Sequence, residues 1–180
     1  IQLEKTPKVA LFGSLSYRMV PGGKGSGYVT CKQITSLPAA FTAAGFSVDS
    51  TLVEAYEAHI KEEGTDDASE TIIGQMSEAK LPSELEWTAE EVEAFAQTSD
   101  FAVLTIGRSS KEDYDFDEDE YQLKPIELTM LTNVCQSFHA AGKRVIVVLN
   151  IPIPIEIVSW QRLPGAIILP WLAGQESGPA

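Results

Sequence analysis

The chain has 180 residues, 44% hydrophobic and 22% charged, with 13 basic residues against 26 acidic ones and a formal net charge of −13. That length suits one domain with a sizeable core, and the lack of an eighteen-residue apolar run argues against a transmembrane helix. Such a charge repels nucleic acid and anionic membrane, so neither is expected as a partner, and it leaves a neutral ligand open.

"KVALF" (Lys8–Phe12) is a short apolar run followed by Gly13 and reads as a buried strand. The residues before it lack the layout of a signal peptide, so a cytoplasmic location is the expectation, with a leader further upstream left open. The glycine-rich stretch "PGGKGSGYV" (Pro21–Val29) follows, and "CKQITSLPAAFTAAG" then has helical character. Pro38 sits awkwardly inside it: either Ser36 caps a later start or the helix kinks. "FSVDS" is a second short strand, and "LVEAYEAHIKEEG" is a helix with Gly64 as its stop.

Residues 65–87 are polar and aperiodic and form a long connection. Thr88 and Glu91 make a capping box for "AEEVEAFAQ". "FAVLTI" (Phe101–Ile106) is a third strand. "IELTMLTNVCQSFHAAG" is the longest helix, with Leu128, Leu131, Cys135 and Phe138 on one face. "VIVVL" (Val145–Leu149) and "AIIL" (Ala166–Leu169) are the fourth and fifth strands, and Pro154 is expected to open a short helix through Trp160. Gln175 and Glu176 read as the start of another helix, so the chain is expected to stop short of its domain's end, after the fifth strand.

Apolar strands alternating with amphipathic helices predict an α/β fold: a three-layer α/β/α sandwich around an open, mainly parallel sheet of five or six strands, forming one domain over residues 1–180. Ligands of such sheets bind beyond the carboxyl ends of the strands. Those ends carry "GSLSYR" with the glycine loop, "GRSSKEDYD", "NIPIP" and "PWLAGQE".

Several chemistries fail on spacing. A triphosphate loop needs Ser or Thr after GxxxxGK, and Gly25 stands there. GxGxxG, counted from Gly25, meets Thr30 at its last glycine. Ser26 has glycines directly beside it, the wrong spacing for a hydrolase elbow. In "EDYDFDEDE" (112–120), a calcium loop from Asp113 through Asp115 and Asp117 meets Glu118 where glycine is required and Lys124 where glutamate is required. Cys31 and Cys135 form no metal or redox spacing and read as small apolar residues on helices. His59 and His139 are isolated, so no metal or cofactor is expected. Glu112 stands apart from the acidic run, six residues past a buried strand on the ligand-facing edge. Asp113 and Asp115 would raise its pKa while Arg108 and Lys111 would lower it, and spacing alone leaves open whether it is an acid catalyst or one more solvated carboxylate.

The order of these pieces resembles the second, α/β-sandwich domain of glycoside hydrolase family 3, the β-glucosidase and β-xylosidase family. "KVALFG", "GGKGSGYV" and "AAGFSVD" resemble the domain's opening. "SDFAVLTIGRSSKEDYD" is similar to its SD-strand-R-x-S-G-E-G-x-D-R segment, and "GKRVIVVLNIPIPIE" and "AIILPWLAGQESG" to its later strands. The resemblance implies that Glu112 is the catalytic acid/base, that Arg108, Ser109 and Asp115 coincide with the motif as substrate-binding residues, and that Lys24 and Ser26 of the glycine loop contact sugar hydroxyls or only shape a domain interface. Lys111 and Asp113 replace the motif's glycines, Phe116 its arginine, and Pro152 a usual glycine. The resemblance further implies a retaining mechanism on a β-linked glucoside or xyloside, with an aspartate nucleophile on a preceding (β/α)8 barrel. A barrel takes about 250 residues, so this chain would be half of an active site and inactive alone. The alternatives are a non-catalytic sugar-binding or structural module of the same fold, motivated by Lys111 and Asp113, and a flavodoxin-like nucleotide or flavin binder.

Overall fold

The computed structural model describes residues 6–23, 31–64, 81–110 and 118–180. The expectations for Lys24, Ser26, Glu112 and Asp115, and for most of the long connection, fall outside these residues.

Five strands form one sheet: β1 (Lys8–Phe12), β2 (Ser47–Val48), β3 (Phe101–Gly107), β4 (Arg144–Asn150) and β5 (Ala166–Ile168). The order is β2-β1-β3-β4-β5, and every pair is parallel. β3 and β4 pair along their whole length, from Phe101 opposite Arg144 to Gly107 opposite Asn150. Their apolar runs have no polar alternation because both faces of the sheet are covered.

Alternation along the strands divides the core in two. Ala10, Phe12, Ala102, Leu104, Ile106, Val145, Val147 and Leu149 point to one face. There they meet α3 (Ser50–Glu62) through Leu52 and Tyr56, α4 (Ala89–Thr98) through Val92 and Ala96, and α6 (Pro125–Ala140) through Met130, Leu131, Val134, Cys135 and Phe138. Val9, Leu11, Val103 and Val148 point the other way, against Met19 and Leu37, with Phe41 packed alongside. Leu37 and Phe41 belong to α2 (Leu37–Ala43). The three layers are therefore unequal, with the larger core under α3, α4 and α6. Each fully buried aliphatic or aromatic side chain contributes on the order of 1.5–3 kcal/mol.

Local signals account for the helix starts. Ser36 caps α2 and puts Pro38 in its first turn, so the helix starts late and does not kink. Asp49 accepts from Thr51 N–H and Leu52 N–H at the start of α3. Thr88 and Glu91 form the reciprocal capping box of α4. The described residues also include two short helices: α1 (Ser14–Tyr17) directly after β1, and α5 (Glu118–Tyr121) before α6.

Three expectations are corrected. Leu128 lies 42% exposed, and the buried face of α6 runs through Met130 and Val134 instead. The helix expected from Pro154 to Trp160 is a single turn in which Trp160 N–H and Gln161 N–H share the Ile157 carbonyl. The Glu156 carboxylate takes Ser159 N–H and Oγ–H, and Pro164 ends any continuation. Gln175 and Glu176, where a helix start was expected, do lie in a short 3-10 helix, Gly174–Glu176. Cys135 is buried on α6 as expected, whereas Cys31 lies partly exposed in a loop. Among the described residues, no helix is long and apolar enough to cross a membrane.

Gly13 turns the chain at the end of β1 with φ of 90°, and a Cβ there would lie 2.3 Å from the Thr105 carbonyl oxygen. Both faults act together in Gly13→Ala. That variant is expected to lose about 3 kcal/mol or more, seen as a lower urea midpoint; an unchanged midpoint would refute this account of the turn.

Candidate functional site

Because all five strands are parallel, their carboxyl ends lie on one edge. In this strand order the chain reverses direction between β1 and β3, and a crevice there is where ligands of doubly wound sheets sit. Here α1 fills it. Leu15 packs where a Cβ on Gly107 would lie, 2.6 Å from its Cγ. Ser16 Oγ donates to the Phe12 carbonyl and shares a 2.7 Å hydrogen bond with Thr105 Oγ1. That filling argues against the flavodoxin-like alternative.

Arg108 leaves the end of β3 and is only 4% exposed. All five of its guanidinium N–H groups have acceptors. Nη1 donates to Glu127 Oε1 at 2.7 Å and to the Gly107 carbonyl at 2.8 Å. Nη2 donates to Glu127 Oε2 at 2.9 Å and to the Gln122 carbonyl at 2.9 Å. Nε donates to the Glu120 carbonyl at 3.0 Å. Glu127 is fixed in turn, because its Oε2 accepts the Lys124 N–H at 2.8 Å, the reach-back half of a capping box at the start of α6. Arg108 thus ties its own strand to both the far end of the following loop and the next helix. Sequence reasoning missed Glu127. Its signal was an acid two residues after Pro125, the position from which a side chain caps a helix start.

Ser109 follows, half-buried. Counted from Arg108, the serine of the R-x-S-G-E motif falls on Ser110, and Ser109 takes the unspecified position. Arg108 and Ser109 are therefore adjacent at the end of β3, as expected, but the guanidinium faces inward.

A second node ties the neighbouring loops to the same edge. Asn150, fully buried at the end of β4, accepts Val20 N–H at 2.6 Å. Its Nδ2 donates to the Val20 carbonyl at 3.0 Å and to the Trp171 carbonyl at 2.9 Å. Arg108 N–H donates to the Asn150 carbonyl at 3.2 Å, and Gly174 N–H to that of Pro21. The loops after β1, β3, β4 and β5 therefore converge. Trp171 is 51% exposed there with a left-handed φ of 57°.

Behind α1 lies a network around Glu84. Ser14 N–H and Leu85 N–H donate to its carboxyl. Gly13 N–H and Trp87 Nε1–H donate to the Tyr56 hydroxyl. Burial pushes the Glu84 carboxyl up, the surrounding donors oppose the shift and the nearby charge of Glu127 adds to it, for a pKa of about 7. Burial also raises the Tyr56 phenol. Among the described residues, no group of His, Cys, Asp or Glu is placed to hold a metal.

The Glu84 shift has a defined sign. The folded chain holds the proton more tightly than the unfolded one, so this stability is complete below about pH 4.5 and lost as pH rises through 7. The loss is about 3 kcal/mol at most, since Glu84 stays partly accessible. Glu84→Gln should weaken the fall in urea midpoint between pH 5 and 8. An identical fall in the variant would exclude Glu84 as its source.

A model of the glycosyl hydrolase family 3 C-terminal domain matches residues 3–180. Among solved structures, β-glucosidase 3B from Thermotoga neapolitana in complex with glucose is 32% identical, with a TM-score of 0.85 over 98% of this chain and 25% of that one. A β-glucosidase from Paenibacillus barengoltzii is 26% identical, with a TM-score of 0.79 over 96% of this chain and 19% of that one. A β-glucosidase from Listeria innocua in complex with isofagomine, at 19% identity and a TM-score of 0.61 over 98% of this chain and 21% of that one, shares the fold. The chain thus spans a quarter or less of each of these enzymes. No match was found among curated proteins.

Proposed function

The chain belongs to glycosyl hydrolase family 3, matching its C-terminal domain, and from that premise we propose that it supplies the acid/base carboxyl, Glu112, to the active site of a retaining exo-acting β-glycosidase. A preceding (β/α)8 barrel in the same polypeptide supplies the nucleophilic aspartate. The observation that carries this reading is the placement of Arg108. The motif's arginine stands at the carboxyl end of the central strand, so the segment carrying Glu112 leaves from the ligand-facing edge. The substrate is a β-linked glucoside or xyloside, in keeping with the glucose complex of the Thermotoga enzyme.

Two carboxyls about 5 Å apart flank the glycosidic bond in a retaining enzyme. In the first step Glu112, protonated, gives its proton to the leaving oxygen as the bond from that oxygen to C1 breaks and the aspartate carboxylate bonds to C1. In the second step the Glu112 carboxylate takes a proton from water, whose oxygen attacks C1 and releases the aspartate. Glu112 ends protonated, as it began. Arg108 serves by holding the loop, and Ser109, Asp115, Lys24 and Ser26 are the sugar-contacting candidates around it. The second reading, a non-catalytic module, draws on Lys111 and Asp113 in place of the motif's glycines, which narrow the backbone freedom beside Glu112.

The test uses the full-length enzyme. Glu112→Ala should lower kcat/KM about 10²–10⁴-fold on substrates with poor leaving groups and much less on activated aryl glucosides, and azide should raise the lowered kcat on the latter, giving a glycosyl azide. Normal activity of that variant on poor leaving groups would favour the non-catalytic module. The isolated chain should not hydrolyse aryl β-glucosides, and detectable turnover would contradict the shared site.

A further inference from the structure

We infer that Arg108 and Glu127 are a positioning pair, whose buried fork sets where the loop after β3 presents Glu112. The inference rests on the acid/base reading above. The loop leaves at Arg108, and Glu112 is the fourth residue beyond it. The same guanidinium holds the carbonyls of Glu120 and Gln122, where the chain returns. Both ends of the segment are therefore fixed to one planar group. That group is fixed to α6 through both Glu127 oxygens, and Glu127 is locked by the Lys124 N–H. The same face of α6 continues from Glu127 into the main core through Leu131, Val134 and Phe138. Rigid support thus runs from the core to the root of the loop.

The chemistry of the pair fits orientation better than general stabilisation. A buried ion pair is a weak source of stability compared with apolar residues of similar size, whereas a planar fork fixes direction. Lysine keeps the charge but offers three donors without the fork, so it cannot hold Glu127 bidentately and both carbonyls together. Misplacing a catalytic group by about 1 Å lowers rate about 10²-fold, and in the first step the loss grows as the leaving group becomes poorer and needs the proton more.

The experiment compares Arg108→Lys, Glu127→Gln and the paired apolar variant Arg108→Met/Glu127→Leu in the full-length enzyme, each checked by thermal melt. All three are expected to lose about 10–100-fold in kcat/KM on cellobiose or an alkyl glucoside and less than about threefold in kcat/KM on 2,4-dinitrophenyl glucoside, whose first step needs no acid. The alkaline limb of the kcat/KM profile should also move. If the single variants fail to fold, the apolar pair, which leaves no unpaired buried charge, carries the test. Equal losses on both substrates, or a leaving-group dependence and pH profile like the parent's, would overturn the pair. If Glu112→Ala itself shows no leaving-group selectivity, the acid/base reading fails and the positioning role falls with it. If Glu112→Ala is selective and the pair variants are not, only the positioning role fails.

Discussion

The ligand-facing edge of this domain depends on one buried guanidinium. Arg108 sits at the end of the central strand, and desolvating it is tolerable only because every N–H has a partner. Its carboxylate partner is nearly as buried, and removing either member of such a pair costs about 3–5 kcal/mol because the other charge is left unpaired. The arrangement is therefore all or nothing. With the fork intact, β3, α6 and both ends of the loop between them form one unit.

Asn150 does for the outer loops what Arg108 does for the inner one. Its single side chain joins the segment entering the glycine loop to the segment after β5, and its carbonyl takes the Arg108 backbone N–H. Two buried polar side chains at adjacent strand ends thus organise four loops. The loops thereby hold their arrangement without a packed core of their own. The crevice between β1 and β3 is filled by Leu15 and Ser16.

Much of the fold was legible because its causes are local. The strands are apolar runs buried on both faces, and the helix starts carry their own caps at Ser36 and at Thr88 with Glu91. The α6 face was misread at Leu128 because three-residue steps from that position drift off the buried stripe, which Met130 and Val134 occupy. The helix after Pro154 failed because Glu156 satisfies Ser159 with its side chain and competes with the helical ladder. The site was less legible for a different reason. Arg108 read as a ligand contact because it follows a strand on the functional edge, yet its partner lies 19 residues downstream and no local spacing announces it. Glu84 carried no signal in its polar, aperiodic surroundings; burial beneath α1 makes it unusual.

The measurement that bears most directly on this account is a crystal structure of the full-length enzyme with a non-hydrolysable β-glucoside analogue bound. The account predicts the Arg108–Glu127 fork intact and the Glu112 carboxyl about 5–5.5 Å from the barrel's nucleophilic aspartate, across the glycosidic bond. A Glu112 carboxyl turned to solvent, with some other acid beside the bond, would contradict it.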